Sequence, residues 1–103
     1  MKKFYPVASI EDLIPGRGLK INIKKIDIAL FIDKDNIYAV QNKCPHQNAE
    51  LSDGYIMNKK LYCSLHHWAF SLPDGKYAFN PDLRLKTYET VIENGKICIG
   101  LDE

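Results

Sequence analysis

The residues best suited to chemistry in this chain are three cysteines and three histidines, and all but Cys98 lie in two short segments. Cys44 and His46 lie two positions apart, and Cys63 and His66 lie three positions apart. The pattern is C-x-H, then sixteen intervening residues, then C-x2-H. Thiolates and imidazoles are good ligands for zinc and for iron–sulfur clusters. Four such groups in two short segments therefore predict a metal centre.

Two kinds of metal centre are compatible with these ligands. A tetrahedral zinc site is one, but zinc fingers commonly take both cysteines from one element and both histidines from another. Here each segment supplies one cysteine and one histidine. That mixed arrangement favours a Rieske [2Fe–2S] centre, in which one iron is held by two cysteines and the other by two histidines.

Length and charge exclude several other classes of protein. The 103 residues suit one domain, residues 1–103, and the 14 basic and 13 acidic side chains leave a net charge of +1. This balance lacks the basic excess of a nucleic-acid binder.

No apolar window approaches the roughly 18 residues of a membrane span. Pro6, Glu11 and Asp12 interrupt any signal-peptide core after Met1. We therefore expect an unexported cytoplasmic protein, and its odd cysteine count does not suit a disulfide scaffold.

Alternating apolar residues dominate most of the chain and indicate strands. An Asn-Gly pair between such runs is a strong hairpin signal. The fold class is therefore predicted to be all-β, a small antiparallel sandwich or barrel of about eight strands. In the first half of the chain the predicted strands are Phe4–Ala8, two strands within Leu19–Ile32 that turn at Lys24-Lys25, and Ile37–Val40. In the second half, one hairpin is predicted at Tyr55–Tyr62, turning at Asn58-Lys59-Lys60, and another at Asn94-Gly95, between Thr87–Ile92 and Lys96–Gly100. A helical turn is predicted only within Ile10–Ile14.

Two segments lack this alternation, residues 42–54 and about 63–70. The first contains one cysteine and one histidine, and the second contains one cysteine and two adjacent histidines. We expect them to be loops that project from the β scaffold, which is a common placement for functional residues. Cys98 lies instead in the apolar run Lys96–Gly100 and is expected to be a structural thiol.

The two loops carry longer motifs that resemble those of Rieske-type ferredoxins. Residues 44–54 read CPHQNAELSDG, close to the family pattern CPHxxAxLSxG, and residues 63–70 read CSLHHWAF, close to CPxHxxxF. Downstream, Leu72–Gly75 and Asn80-Pro81 are similar to a turn and a proline-containing loop of the family. The resemblance implies a Rieske-like fold with a cluster-binding subdomain of two loops and one [2Fe–2S] cluster held by Cys44, His46, Cys63 and His66.

The chain departs from the family pattern beside the second histidine. His67 stands where many members have glycine, and Ser64 replaces a common proline. The shared spacing selects His66 as the ligand. His67 is interpreted as its neighbour at the surface, and a competing ligand is the alternative.

The resemblance also implies a low reduction potential. Ala49 and Leu65 occupy the positions at which the high-potential respiratory members carry a disulfide. Trp68 and Phe70 occupy positions at which those members carry hydroxyl groups that donate hydrogen bonds to the cluster. Without these groups, we expect a potential near the lower end of the Rieske range, about −150 mV.

The function implied by the resemblance is one-electron transfer from a reductase to an oxygenase or similar terminal enzyme. On this interpretation the protein is a component of an oxidoreductase system and not an enzyme on its own. Two alternatives stay open: the small subunit of a cytoplasmic NAD(P)H-dependent nitrite reductase, and a zinc-stabilised binding module. The sequence does not determine the oligomeric state.

Overall fold

The computed structural model of the chain describes residues 2–45, 49–64, 68–72, 74–77 and 80–102. Nearly all regular structure in these ranges is extended and antiparallel, which confirms the predicted all-β class. The strands are β1 (Lys2–Ser9), β2 (Leu19–Ile23), β3 (Ile26–Asp33), β4 (Asn36–Gln41), β5 (Tyr55–Met57), β6 (Lys60–Tyr62), β7 (Ala69–Ser71), β8 (Lys76–Tyr77), β9 (Asn80–Arg84), β10 (Thr87–Tyr88), β11 (Thr90–Glu93) and β12 (Lys96–Asp102).

The helical content of the described residues consists of two short 3₁₀ helices. Ile10–Asp12 forms the first, within the predicted helical turn, and Leu51–Asp53 forms the second, inside the first predicted loop. None of the described helices has the length and apolar character needed to cross a membrane.

Three hairpins turn at two-residue loops in which both residues have positive φ. The φ values are 50° and 68° at Lys24 and Lys25, 55° and 62° at Asn58 and Lys59, and 52° and 78° at Asn94 and Gly95. Such turns match the natural twist of antiparallel strands. The turns at Lys24 and Asn94 are as predicted. The third is one residue shorter than predicted, because Lys60 already pairs with Met57.

The strands form three sheets, ordered β1-β12-β11, β10-β4-β3-β2 and β5-β6-β7-β8-β9. Strand β3 is apolar on both faces and lies between the two cores. Ile28 and Leu30 pack into a core shared with β12, whereas Ala29 and Phe31 pack into a second core. This second core also contains residues of the first predicted loop and of the five-stranded sheet. The four-stranded sheet is therefore the platform on which the two predicted loops are assembled.

One predicted strand is divided between two sheets. The run Thr87–Ile92 was expected to form one arm of the C-terminal hairpin, but Thr87 and Tyr88 pair with β4, and Thr90–Glu93 pair with β12. Glu89 lies between them, and its carbonyl oxygen accepts a hydrogen bond from the Gly100 amide at 2.9 Å. The alternation of the sequence continues across this crossover, so the pattern alone does not show it.

Candidate metal centre

Two of the four predicted ligands, Cys44 and Cys63, lie in the described part of the chain and share one core. Cys44 follows β4 by three residues and is 2% exposed, and Cys63 directly follows β6 and is fully buried. Both pack in the apolar cluster that contains Leu51, Leu61 and Phe70. The structure therefore brings the two cysteine-bearing loops to one side of the four-stranded sheet. His46, His66 and the neighbouring His67 lie outside the described residues.

The two loops are closed at their bases in the same way. The backbone amide of Cys44 donates to the carbonyl of Ala49 at 2.9 Å, and that of Cys63 donates to the carbonyl of Trp68 at 2.8 Å. Each hydrogen bond joins a cysteine to the residue five positions later. Each predicted histidine belongs to the segment enclosed by one of these bonds. The chain thus forms two short loops that are closed in the same way, each with a buried cysteine as its first residue.

Two further hydrogen bonds join the ends of the first loop outside the bond between Cys44 and Ala49. The carbonyl of Asn42 accepts the Leu51 amide at 3.3 Å, and the Oδ1 atom of Asn42 accepts the Ser52 amide at 2.7 Å. The backbone amide of Asn42 donates to the carbonyl of Asp27 in β3. Asn42 therefore joins the two ends of the loop to each other and to the platform sheet.

The neighbouring Gln41 fixes the approach of the chain to Cys44. Its Nε2 atom donates to the carbonyl of Lys43 at 2.6 Å, and its Oε1 atom accepts the Lys86 amide at 2.8 Å. The backbone amide of Gln41 donates to the carbonyl of Lys86 at 2.9 Å. Both ends of the Gln41 side chain are thus occupied. Sequence analysis missed Gln41 and Asn42, although adjacent amide residues just before a candidate ligand could have indicated loop anchors.

The end of the first loop lies directly against the strand that leads to Cys63. At Gly54, an added Cβ atom would lie 2.1 Å from the carbonyl oxygen of Tyr62. Gly54 has φ −85°, an ordinary value for any residue, so this position requires glycine for space rather than for conformation. The absence of a side chain at Gly54 lets the two loops approach each other.

The second loop is a hairpin connection between β6 and β7. Tyr62 pairs with Ala69, and the Cys63–Trp68 hydrogen bond continues this ladder by one residue on each side. The loop is shorter than the predicted 63–70, because β7 begins at Ala69. Trp68 stacks on Tyr77 at 4.2 Å between ring centroids, and Phe70 is fully buried. Phe70 belongs to the core that contains Cys44 and Cys63, and Trp68 packs against that core.

An ion pair at the surface joins the first loop to the edge of the platform sheet. The Nζ atom of Lys20 in β2 lies 2.5 Å from the Oε1 atom of Glu50. This hydrogen bond, with the charge of Glu50, raises the pKa of Lys20 above its usual value. An exposed pair of this kind adds little to stability.

Cys98 is separate from the two loops. It is a buried thiol in β12, 6% exposed and opposite Val91 of β11. This agrees with the structural role expected from the sequence. None of the three cysteines is part of a disulfide.

The donor chemistry of the two loops fits an iron–sulfur cluster. Buried thiols with no disulfide partner can act as thiolate ligands, and the surrounding apolar side chains limit the access of water to them. A comparison with protein families then decides the class. The model of the Rieske [2Fe–2S] domain matches residues 3–89.

The chain belongs to the Rieske [2Fe–2S] domain family.

Relatives with known roles agree with this assignment. The Rieske chain is 32% identical over 100 residues to the ferredoxin component of the naphthalene 1,2-dioxygenase system of Pseudomonas putida, covering 96% of each chain. It is 37% identical over 99 residues to the ferredoxin subunit of 3-phenylpropionate/cinnamic acid dioxygenase of Photorhabdus laumondii, covering 94% of this chain and 93% of that one.

Solved structures show the same fold over the whole Rieske chain. The Sphingomonas yanoikuyae B1 ferredoxin has a TM-score of 0.87 at 25% identity, covering 97% of this chain and 100% of its own. A protein described as an NADH-dependent nitrite reductase small subunit from Mycobacterium tuberculosis has a TM-score of 0.91 at 23% identity, covering 100% of this chain and 98% of its own. At that identity the likeness concerns the fold alone.

The family and its relatives give the Rieske chain its cofactor and role. Its cofactor is one Rieske-type [2Fe–2S] cluster, and it is an electron carrier. When bound, this cluster takes up and releases one electron at a time. The zinc-stabilised binding module is therefore set aside.

Proposed function

We propose that this protein carries single electrons from a reductase to an oxygenase, with its cluster held by Cys44, His46, Cys63 and His66. The observation that supports this most strongly is the pair of equivalent loops, each closed five residues after a buried cysteine. One cysteine and one histidine from each loop is the donor set of a Rieske centre.

The described residues support the choice of the two histidines indirectly. Within ranges 2–45, 49–64, 68–72, 74–77 and 80–102, no three His, Cys, Asp or Glu side chains are arranged to hold a metal ion. His46 and His66 lie outside these ranges and are the candidates at the family spacing to complete a centre built on Cys44 and Cys63.

The relatives support the choice of partners. Those quoted above are ferredoxin components of dioxygenase systems. A complex of reduced oxygenase and oxidised ferredoxin in carbazole 1,9a-dioxygenase contains a chain with a TM-score of 0.82 and 26% identity, covering 92% of this chain and 99% of its own. The net charge of +1 provides little long-range steering, so recognition should depend on local contacts. We also propose that residues 1–103 act as one domain and that the exchange takes place in the cytoplasm.

The midpoint potential is expected to be low, about −150 mV. The physical reason is that the aromatic residues Trp68 and Phe70 carry no hydroxyl to donate to the cluster sulfurs, and Ala49 cannot form a disulfide. A redox titration monitored by visible circular dichroism would measure the potential. A clearly positive value would contradict this prediction.

Electron transfer itself is tested by rapid mixing. The protein, reduced by dithionite and freed of excess reductant, is mixed separately with the oxidised oxygenase component of a naphthalene dioxygenase system and with the large subunit of a nitrite reductase. We expect rapid reoxidation by the oxygenase only, and co-elution with neither protein in gel filtration. Reoxidation by the nitrite reductase alone, with stable co-elution, would favour the small-subunit alternative.

A further inference from the structure

Asn42 is the one buried polar residue in the described part of the chain, and it lies two positions before Cys44. The residue is 3% exposed. Its backbone is fully used, because the amide donates to Asp27 and the carbonyl accepts the Leu51 amide. A buried amide side chain must find partners for both of its ends or reduce the stability of the fold.

The oxygen end of this side chain has a partner, and that partner fixes the orientation of the amide. Oδ1 accepts the Ser52 amide at 2.7 Å. Rotating the amide by half a turn would place its NH₂ group against the Ser52 N–H, so that two donors would face each other. The Nδ2 atom therefore points away from the Ser52 amide.

The nitrogen end has no hydrogen-bond partner within the described residues. Leaving a buried donor unpaired costs about 1–3 kcal/mol. Native proteins leave few such groups unpaired, and each one calls for an explanation such as a redox role or a bound water or ion. A [2Fe–2S] cluster bound at Cys44 would bring sulfur acceptors into the neighbourhood of Asn42: the thiolate and the bridging sulfides.

We propose that Asn42 is a positioning and tuning residue of the cluster: Oδ1 clamps the first loop, and Nδ2 donates a hydrogen bond to a sulfur atom of the centre. This inference rests on the proposed binding of the cluster at Cys44. Reduction adds negative charge to the centre, and a donor to sulfur stabilises the more negative form. Asn42 therefore raises the potential above the value that the chain would otherwise give.

Two variants separate the clamp from the donor. Asn42→Leu is uncharged and similar in size, but removes both functions. Asn42→Asp keeps an oxygen for the Ser52 amide and removes only the donor, while adding a negative charge. Gln41→Glu is the control for the added charge and the lost amide donor, because it makes the same change at a neighbour whose Nε2 atom donates to the Lys43 carbonyl and not to the centre.

Each variant is purified with its cluster, and its midpoint potential is measured beside that of the wild type. We expect Asn42→Leu to disfavour reduction about tenfold, which is about 59 mV for one electron. Asn42→Asp should lower the potential further, and by more than Gln41→Glu. In deuterated buffer, pulsed electron–nuclear double resonance of the reduced protein should show one exchangeable deuteron coupling that both Asn42 variants lose.

Several outcomes would overturn the assignment. The assignment is wrong if Asn42→Leu, loaded with its cluster, keeps the wild-type potential. It is also wrong if the deuteron coupling persists in Asn42→Asp, because a buried water would then be the donor to the cluster. If Asn42→Leu does not retain a cluster, the potential and the deuteron coupling of Asn42→Asp decide the question. Failure of the wild type to bind a cluster would overturn the proposed function as well, whereas unchanged potentials in loaded variants would overturn this inference alone.

Discussion

Cys63→Ser is expected to yield a purified protein without the visible spectrum of a two-iron centre. Cys63 is fully buried at the first residue of the second loop, where an alkoxide is a poor substitute for a soft thiolate. The loss should be nearly complete, since a ligand missing from a buried site cannot be replaced by water without disrupting the core around Phe70. Iron and acid-labile sulfide per chain, with the visible spectrum, measure the effect.

The chain supplies matched controls for this experiment. Cys98→Ser makes the same change at the third buried thiol and should leave iron content and spectrum unchanged. His66→Cys should alter the spectrum because it exchanges an imidazole for a thiolate, while His67→Ala should leave it intact. Loss of the cluster in His67→Ala, or its full retention in Cys63→Ser, would show that the ligand assignment is wrong.

Gly54→Ala is expected to be among the most destabilising single substitutions in the chain. The new Cβ atom would lie 2.1 Å from the carbonyl oxygen of Tyr62, so the first loop and β6 must separate. Overpacking of this kind costs about 3 kcal/mol, a large share of the stability of a small domain. Since Tyr62 immediately precedes Cys63, iron content should fall together with the free energy of unfolding, measured by denaturant titration.

Gly95→Ala provides the contrast for this prediction. Gly95 lies in the C-terminal hairpin turn with φ 78°, and an added Cβ atom there would meet nothing within 4 Å. Its cost is conformational only, about 1 kcal/mol. It should lower the free energy of unfolding slightly and leave iron content at the wild-type level. A larger loss of stability in Gly95→Ala than in Gly54→Ala would contradict the close approach of the two loops.

The hairpins were predictable because their signals are local. Alternating apolar residues on either side of Lys24-Lys25 and Asn94-Gly95 determine both the strands and the turns between them. In contrast, the short strands β7, β8 and β9 were not anticipated. They are short or irregularly paired, with a register shift between Lys76 and Tyr77. Their pairing depends on contacts between distant residues rather than on a repeat in the sequence.

Residue types and spacing predicted the cysteines of the candidate site, but they did not predict the hydrogen bonds that hold its loops in place. Cys44 and Cys63 were selected by motif, and their burial in one core agrees with a shared centre. The sequence could have indicated Asn42 as a loop anchor but not its partner, because the bond depends on Ser52, ten residues later, folding back onto it. The shortening of the second loop likewise depends on the pairing of Tyr62 with Ala69.

The central claim is that the two loops hold one Rieske-type [2Fe–2S] cluster through Cys44, His46, Cys63 and His66. Electron paramagnetic resonance of the freshly purified protein after dithionite reduction, with iron and sulfide analysis of the same sample, tests it most directly. We predict a red-brown protein with two irons and two acid-labile sulfides per chain and the low average g value of a half-histidine cluster. A colourless protein from iron-replete cells, with one zinc per chain and no such signal, would contradict the account.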